Sequence, residues 1–222
     1  MWKIQYIICF FILFTSSRLN ALLEDPWSSL SEKQKASLQE GKEVLVTEKI
    51  QESSWPYFHV YCLIKATPLQ AAAIFWDVEK APEYIPHCLR ALLHARPSLN
   101  VLEVNYELEI PIFPNEFSRV RNTLHAFPHE GAYEISWEIL SSRYSKSGRG
   151  SFLVLPHERG TLLCYSNFIN PGSLIAPLLR AQAEKKVQET VSVLLHHIEE
   201  EVQENSDELP MQEKKLQEAL GK

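Results

Sequence analysis

Apolar positions in this chain follow two rhythms, one near the C-terminus with helical spacing and one in the middle with strict alternation. From Gly172 to Val202 the residues Ala176, Leu179, Ala183, Val187, Val191, Leu194, Ile198 and Val202 fall on one stripe of a helix, while Arg180, Lys185, Gln188, Glu189 and Glu199 lie off it. Such a stripe has to be buried. The segments upstream that could receive it are strand-like, so the pattern predicts one sheet wrapped around one helix. The stripe is small at its start (Ala176, Ala183) and bulky further on (Val187, Val191, Leu194, Ile198). A helix packed tightly at both ends uses large residues throughout, so room is left at one end. Leu174, Ile175 and Leu178 sit roughly half a turn from the stripe. Either they are lead-in loop, with Pro177 as the first helical residue, or they form an apolar lip at the mouth of a cavity.

Ahead of the helix the elements read in order. Residues 22–42 are a helical lead-in, with an amphipathic turn set from Leu30 to Gly41. Glu43–Ile50 and Tyr57–Ala66 are strands, the second with Phe58, Val60, Cys62 and Ile64 on one face. Thr67 and Pro68 open a helix as N-cap and first helical residue, and a second short helix lies between Pro82 and Pro86. Strands follow at Leu89–Arg96, Leu99–Ile110, Glu116–Phe127, Ala132–Leu140, Gly148–Leu155 and Thr161–Phe168. In the second of these, Leu102, Val104, Tyr106, Leu108 and Ile110 alternate with acidic and amide residues, as in a sheet with one wet face. The short connections predict antiparallel hairpins. The folded unit therefore spans 43–203, and residues 204–222 read as a polar flexible tail.

Charge and composition narrow the functions. Residues 1–21 carry a basic residue, an apolar run from Ile4 to Phe14 and then small and polar residues, the pattern of a signal peptide cleaved after Ala21. The run is shorter than the roughly 20 residues that span a bilayer; an uncleaved anchor is the alternative, and either places the domain outside the cytoplasm, in a periplasm or secreted. Removing the segment takes away Lys3 and Arg18 and leaves the rest more acidic than the whole chain's −6, which argues against nucleic-acid binding. Cys62, Cys88 and Cys164 are too few for a disulfide framework. His196 and His197 are adjacent rather than four apart, so no metal is expected, nor any cofactor.

The element order, with the stretch Ile74-Phe75-Trp76-Asp77-Val78-Glu79-Lys80-Ala81-Pro82-Glu83-Tyr84-Ile85-Pro86-His87-Cys88 after the first core strand, resembles the START-like helix-grip (SRPBCC) superfamily. That group includes polyketide cyclase/dehydrase and lipid-transport proteins, coenzyme-Q-binding chaperones and birch-pollen-type allergens. Its bacterial and mitochondrial members carry a cluster comparable with Asp77, Tyr84 and Pro86 to Cys88, and the likeness covers about Glu43 to Glu200. A lipocalin-like barrel is the competing fold, but it does not need the helix pair from Pro68 to Ile85.

The resemblance implies an α+β helix-grip fold: a curved antiparallel sheet grips the C-terminal helix around an apolar cavity. Candidate lining residues are Trp76, Tyr84, Val104, Tyr106, Leu108, Arg119, Arg121, Tyr133, Ile135, Trp137, Ala176, Leu179 and Ala183. A row of aromatics at strand spacing is also what plain core looks like. Parity leaves open whether Arg119, Arg121 and His125 or Val120 and Leu124 face inward; outward arginines would pair with Glu107 or Glu109. The loop Ile110–Asn115 holds Ile112 and Phe113 between prolines, and with Leu174, Ile175 and Leu178 it is a candidate rim for transient membrane contact. The resemblance also puts Cys62 near Cys164. The expected function is binding or shuttling of a hydrophobic small molecule or lipid. A cyclase-like enzyme, with an acid and a base among Tyr106, Arg119, Arg121, His125 and Tyr165, and a ligand-free interaction module are the alternatives.

Overall fold

The structure is a computed structural model and describes residues 25–50, 53, 55–110, 113–171, 176–204 and 206–222, with the backbone alone for 176–182. Residues 1–21, expected from the sequence to be a signal peptide, Ile112, Leu174 and Ile175 lie outside the described residues, as do the side chains of Ala176, Leu178 and Leu179. No described helix is long and apolar enough to cross a membrane.

The helices start where their caps dictate. In α1 (Glu32–Gln39) the Ser31 hydroxyl accepts from the Gln34 backbone N–H, and the Gln34 side chain accepts from that of Ser31. Thr67 and Gln70 repeat the arrangement at the head of α2 (Pro68–Trp76), with proline in the first turn. Each box satisfies two amides that a helix end leaves unpaired. A 3-10 turn at Val78–Lys80 leads into α3 (Ala81–Tyr84).

Strands β1 (Val44–Glu48), β2 (Tyr57–Ile64), β3 (Cys88–Ser98), β4 (Val101–Leu108), β5 (Glu116–Phe127), β6 (Ala132–Ser142), β7 (Ser147–His157) and β8 (Gly160–Asn170) form one antiparallel sheet in the order β1-β2-β8-β7-β6-β5-β4-β3. Every neighbour from β3 to β8 is a hairpin partner, and only β2 against β8 closes a long connection. Gly160 (φ 128°) makes the β7–β8 turn; a Cβ there would strike the Ile64 carbonyl.

Helix α4 (Ala176–Gln203) packs on β2 and β8. Val187, Val191, Leu194 and Ile198 are buried in one core with Phe58, Val60, Cys62 and Ile64, as the stripe requires. The sheet's other face carries a smaller core, where Leu30 and Leu38 of the lead-in cover Tyr61, Leu153, Leu162 and Cys164. The two cores explain why Cys62 and Cys164 do not pair. In the β2–β8 register Cys62 stands opposite Leu163 and Cys164 opposite Tyr61, so the thiols point to opposite faces, and all three described cysteines are free.

The tail expected from 204 onward is instead in large part a helix, α5 (Leu209–Ala219), lying on α2. Leu209, Gln212, Leu216 and Ala219 are buried at helical spacing. Lys215 reaches the buried Asp77 carboxylate at 2.8 Å, and Lys80 binds Glu208 at 2.7 Å. Only a few apolar residues carry the stripe among Glu, Lys and Gln, which hides it from a compositional reading. Leu216→Ala is expected to lower stability by about 2–5 kcal/mol, the usual cost of emptying a fully buried leucine site. Urea unfolding checks this; a flexible tail would leave the midpoint unchanged.

Candidate functional site

Alternation fixes which residues face α4. The register places Leu124, Ile135, Phe152, Tyr165 and Val60 in one inward row across β5, β6, β7, β8 and β2. All are buried, and Phe75 of α2 stacks on Phe152 with centroids 4.3 Å apart. One row on, Leu102, Asn122, Trp137, Gly150, Asn167 and Phe58 stand abreast. The row beyond holds Val104, Val120, Ile139, Gly148 and Ile169. Here the sealing fails: Trp137, Asn167, Val120, Ile139 and Ile169 are only partly buried, as are Tyr106 and Leu108 further along β4. The inner face thus has a closed end under α2 and an open end. β8 leaves the sheet at the open end, and the chain then runs to the start of α4.

Two glycines shape that end. A Cβ on Gly150 would collide with the Trp137 ring and the Ser166 carbonyl, and one on Gly148 would meet Ile139. Their absence lets Trp137 and Ile139 lie down over β7 as a floor. Asn122 is buried, with its side-chain amide turned to the Tyr106 phenol as a hydrogen-bond donor. The Asn167 side-chain oxygen, three strands away in the same row, is buried and has no hydrogen-bond partner among the described residues. A buried polar atom without a partner is costly, and native structures hold few of them.

The candidates sort as follows. Tyr106, Leu108, Tyr133 and Trp137 face inward and are partly accessible; Val104 and Ile135 face inward and are sealed. Ala183 is partly buried against the core. Trp76 and Tyr84 belong to the closed end, where the Tyr84 hydroxyl donates to the Phe75 carbonyl at 3.3 Å and its ring packs on His197. Asp77, from the same sequence cluster, is tied to Lys215, so that cluster is architectural.

Arg119 and Arg121 are corrected outright: both point to the outer face. Arg119 donates to Asn105, and Arg121 bridges Glu103 (2.9 Å) and Glu138 (3.0 Å), the residues opposite it on the flanking strands, rather than Glu107 or Glu109. His125 shares their parity and is exposed. The sequence reading missed Asn122 and Asn167. Asn122 sits between Val120 and Leu124 with their parity, so once those two face inward the amide must as well.

No cluster among the described residues could hold a metal. Clefts of about 470 and 490 Å³ open elsewhere, one between Leu99–Asn100, Leu124–Phe127 and the end of α5, the other between the N-terminal lead-in and the β7–β8 turn.

Burial keeps the inward phenols neutral: it pushes Tyr165 up to about 12 and Tyr106 above the ordinary tyrosine range. On the outer face burial, helped by the Cys164 thiol, pushes Tyr61 up to about 12. Unfolded tyrosines titrate near 10, so between about pH 10 and 12 the unfolded state sheds protons that the folded state keeps. This stabilisation is complete below about pH 10 and is lost as pH rises toward 12. Melting temperatures should fall steeply over that window, and Tyr165→Phe should flatten the fall.

By sequence the chain matches no protein-family model and no curated protein. Its fold matches solved structures. A STAR-related lipid transfer protein fragment from Xanthomonas axonopodis superposes with a TM-score of 0.62 at 16% identity, over 70% of this chain and 93% of the other. The lipid transfer and protein localization domain of human StarD13 gives 0.55 at 9% identity, over 76% and 97%. The Zhui aromatase/cyclase from Streptomyces sp. R1128 gives 0.52 at 12%, over 67% and 96%. With its antiparallel sheet curled about α4, the chain has the α+β helix-grip fold that these structures share.

Proposed function

We propose that the protein binds, and shuttles, a hydrophobic small molecule or lipid between the open rows of the sheet and the first half of α4. The observation that carries this is the step in burial between the Leu124–Phe152 row and the rows of Trp137 and Ile139. A ligand-free interaction module would bury such large inward side chains. The reading accords with neighbours described as lipid transfer proteins and an aromatase/cyclase. Phenols held neutral by burial are weak acids and bases near pH 7, which favours binding over cyclisation.

Apolar contact alone gives useful affinity. Burying ten methylenes is worth up to about 8 kcal/mol, a dissociation constant on the order of micromolar; ordering costs reduce it. The proposal extends to export through residues 1–21 and to brief membrane contact at the β4–β5 loop. Phe113 there is 53% exposed and edge-on to Tyr144, whose hydroxyl donates to the Pro114 carbonyl; Phe117, 49% exposed, lies under Arg143.

Native mass spectrometry of protein purified from a lipid-rich host is expected to show one lipid-sized adduct, which organic extraction would identify. A clean unliganded mass that persists after incubation with mixed lipids would defeat the binding reading. Phe113→Asp is expected to reduce co-sedimentation with liposomes several-fold without changing the melting temperature, and unchanged sedimentation would remove the membrane step.

A further inference from the structure

The outer face of the sheet, away from the proposed ligand site, carries a chain of polar groups across β1, β2 and β8. The His59 ring lies between two side chains: its Nδ1 is 2.9 Å from the Ser166 hydroxyl and its Nε2 is 3.3 Å from the Glu48 carboxylate. A carboxylate only accepts, so Nε2 carries the ring proton and Nδ1 keeps its lone pair; the Ser166 hydroxyl is then the donor to Nδ1. Burial pushes the Cys164 thiol up, so it stays protonated, and its Sγ lies 3.7 Å from the Ser166 oxygen on another side, which fixes the hydroxyl rotor. The order carboxylate, imidazole, hydroxyl is the one that turns a serine oxygen into a nucleophile, and it is recognised by geometry rather than by position in the chain.

The strand register supplies the rest. Ser151 stands directly opposite Ser166 across the β7–β8 pair and so on the same face; it is half-buried, and its hydroxyl makes no hydrogen bond among the described residues. An O–H there is placed to donate to the oxyanion that forms when a carbonyl carbon bonds to Ser166. Ser166 is 6% exposed, the His59 side chain 18% and that of Glu48 66%, so the group opens to solvent at its Glu48 end. The adjoining row offers aromatic surface: Tyr57 packs edge-on to His59 with centroids 4.7 Å apart, and Phe168 lies under the Arg149 guanidinium. We propose that Ser166 is a nucleophile with His59 as its base and Glu48 as the positioning residue, and that this face hydrolyses small aryl esters. Ser166 Oγ bonds to the carbonyl carbon while its proton passes to His59 Nδ1 and Ser151 donates to the oxyanion. The ester C–O bond then breaks and the phenol leaves with the proton from Nδ1. Water attacks the acyl-serine by the same route, giving its proton to Nδ1 and then to Ser166 Oγ as the carboxylic acid departs.

The full chain is treated with a fluorophosphonate, which bonds to a nucleophilic serine at phosphorus with loss of fluoride, and separately with p-nitrophenyl acetate. Peptide mass spectrometry is expected to find the adduct on Ser166, and the acetate to be turned over; Ser166→Ala should lose both. His59→Ala should slow labelling by at least about a hundredfold. Glu48→Gln, at an exposed position, still bonds to the ring but no longer dictates the tautomer, so kcat should fall by at least about tenfold with KM unchanged, and Glu48→Asp should restore most of it. Circular dichroism verifies that each variant folds. An unlabelled Ser166 in the wild-type protein would overturn the proposal by itself, which covers the case of a variant that fails to fold. Labelling at an unchanged rate in folded His59→Ala would overturn the role of the base, and a wild-type kcat in Glu48→Gln that of the positioning residue.

Discussion

One helix cannot cover an eight-stranded sheet, and the rest of this structure follows from how that shortfall is shared out. The inner face is far wider than the stripe of α4, whose fully buried residues among those described run from Val187 to Ile198. At the closed end α2 supplies the missing cover through Phe75 on Phe152, and α5 in turn backs α2 with Leu209, Leu216 and Ala219. The polar links that hold this stack, Asp77 to Lys215 and Lys80 to Glu208, are the contacts that a three-layer arrangement needs if its outermost helix is to stay in place. Among the described residues no comparable stack covers the other end, where Trp137, Ile139 and Ile169 remain partly accessible.

Much of this was legible from periodicity. Alternation located the strands to within a few residues, and the Thr67–Pro68 pair marked a helix start. What failed was what periodicity does not encode. A strand of mixed character such as β5 has two faces of comparable polarity, and only its pairing shows that Glu103 and Glu138 flank Arg121 on the wet side. Asn122 then lies inward by necessity, against the expectation that amides seek water. The fate of α5 was hidden differently: its stripe includes Gln212, a residue that composition assigns to solvent, and its acceptor surface on α2 is distant in sequence. Cys62 and Cys164 were expected near each other and do stand on neighbouring strands, but one step apart in register, which points the two side chains to opposite faces.

The Asp77–Tyr84–Cys88 cluster shows how sequence likeness and site can diverge. Its residues drew attention because they resemble a superfamily pattern, yet each is spent on architecture. Asp77 anchors α5, Tyr84 braces α2 and α4, and Cys88 is buried as β3 begins beyond His87 in a left-handed turn (φ 62°). A pattern that fixes how helices dock on a sheet can persist across carriers and enzymes without specifying what either binds.

Strand parity sets the character of the open rows. Because one face of each hairpin is wet, most charges on β4, β5 and β6 are drawn to it and neutralise each other there, as the Glu103–Arg121–Glu138 bridge shows. Glu116, at the start of β5 opposite Leu108, is the exception: it is buried on the inward side and held by the Ser142 hydroxyl and the Arg143 and Tyr144 amides. Gly148 and Gly150 add shape to this chemistry, since only residues without a Cβ let Trp137 and Ile139 fold flat onto β7. A flat aromatic floor flanked by two amides is then what results when large side chains and small ones alternate between neighbouring strands. The surface is rigid because it is sheet, and among the described residues its large side chains stay partly accessible.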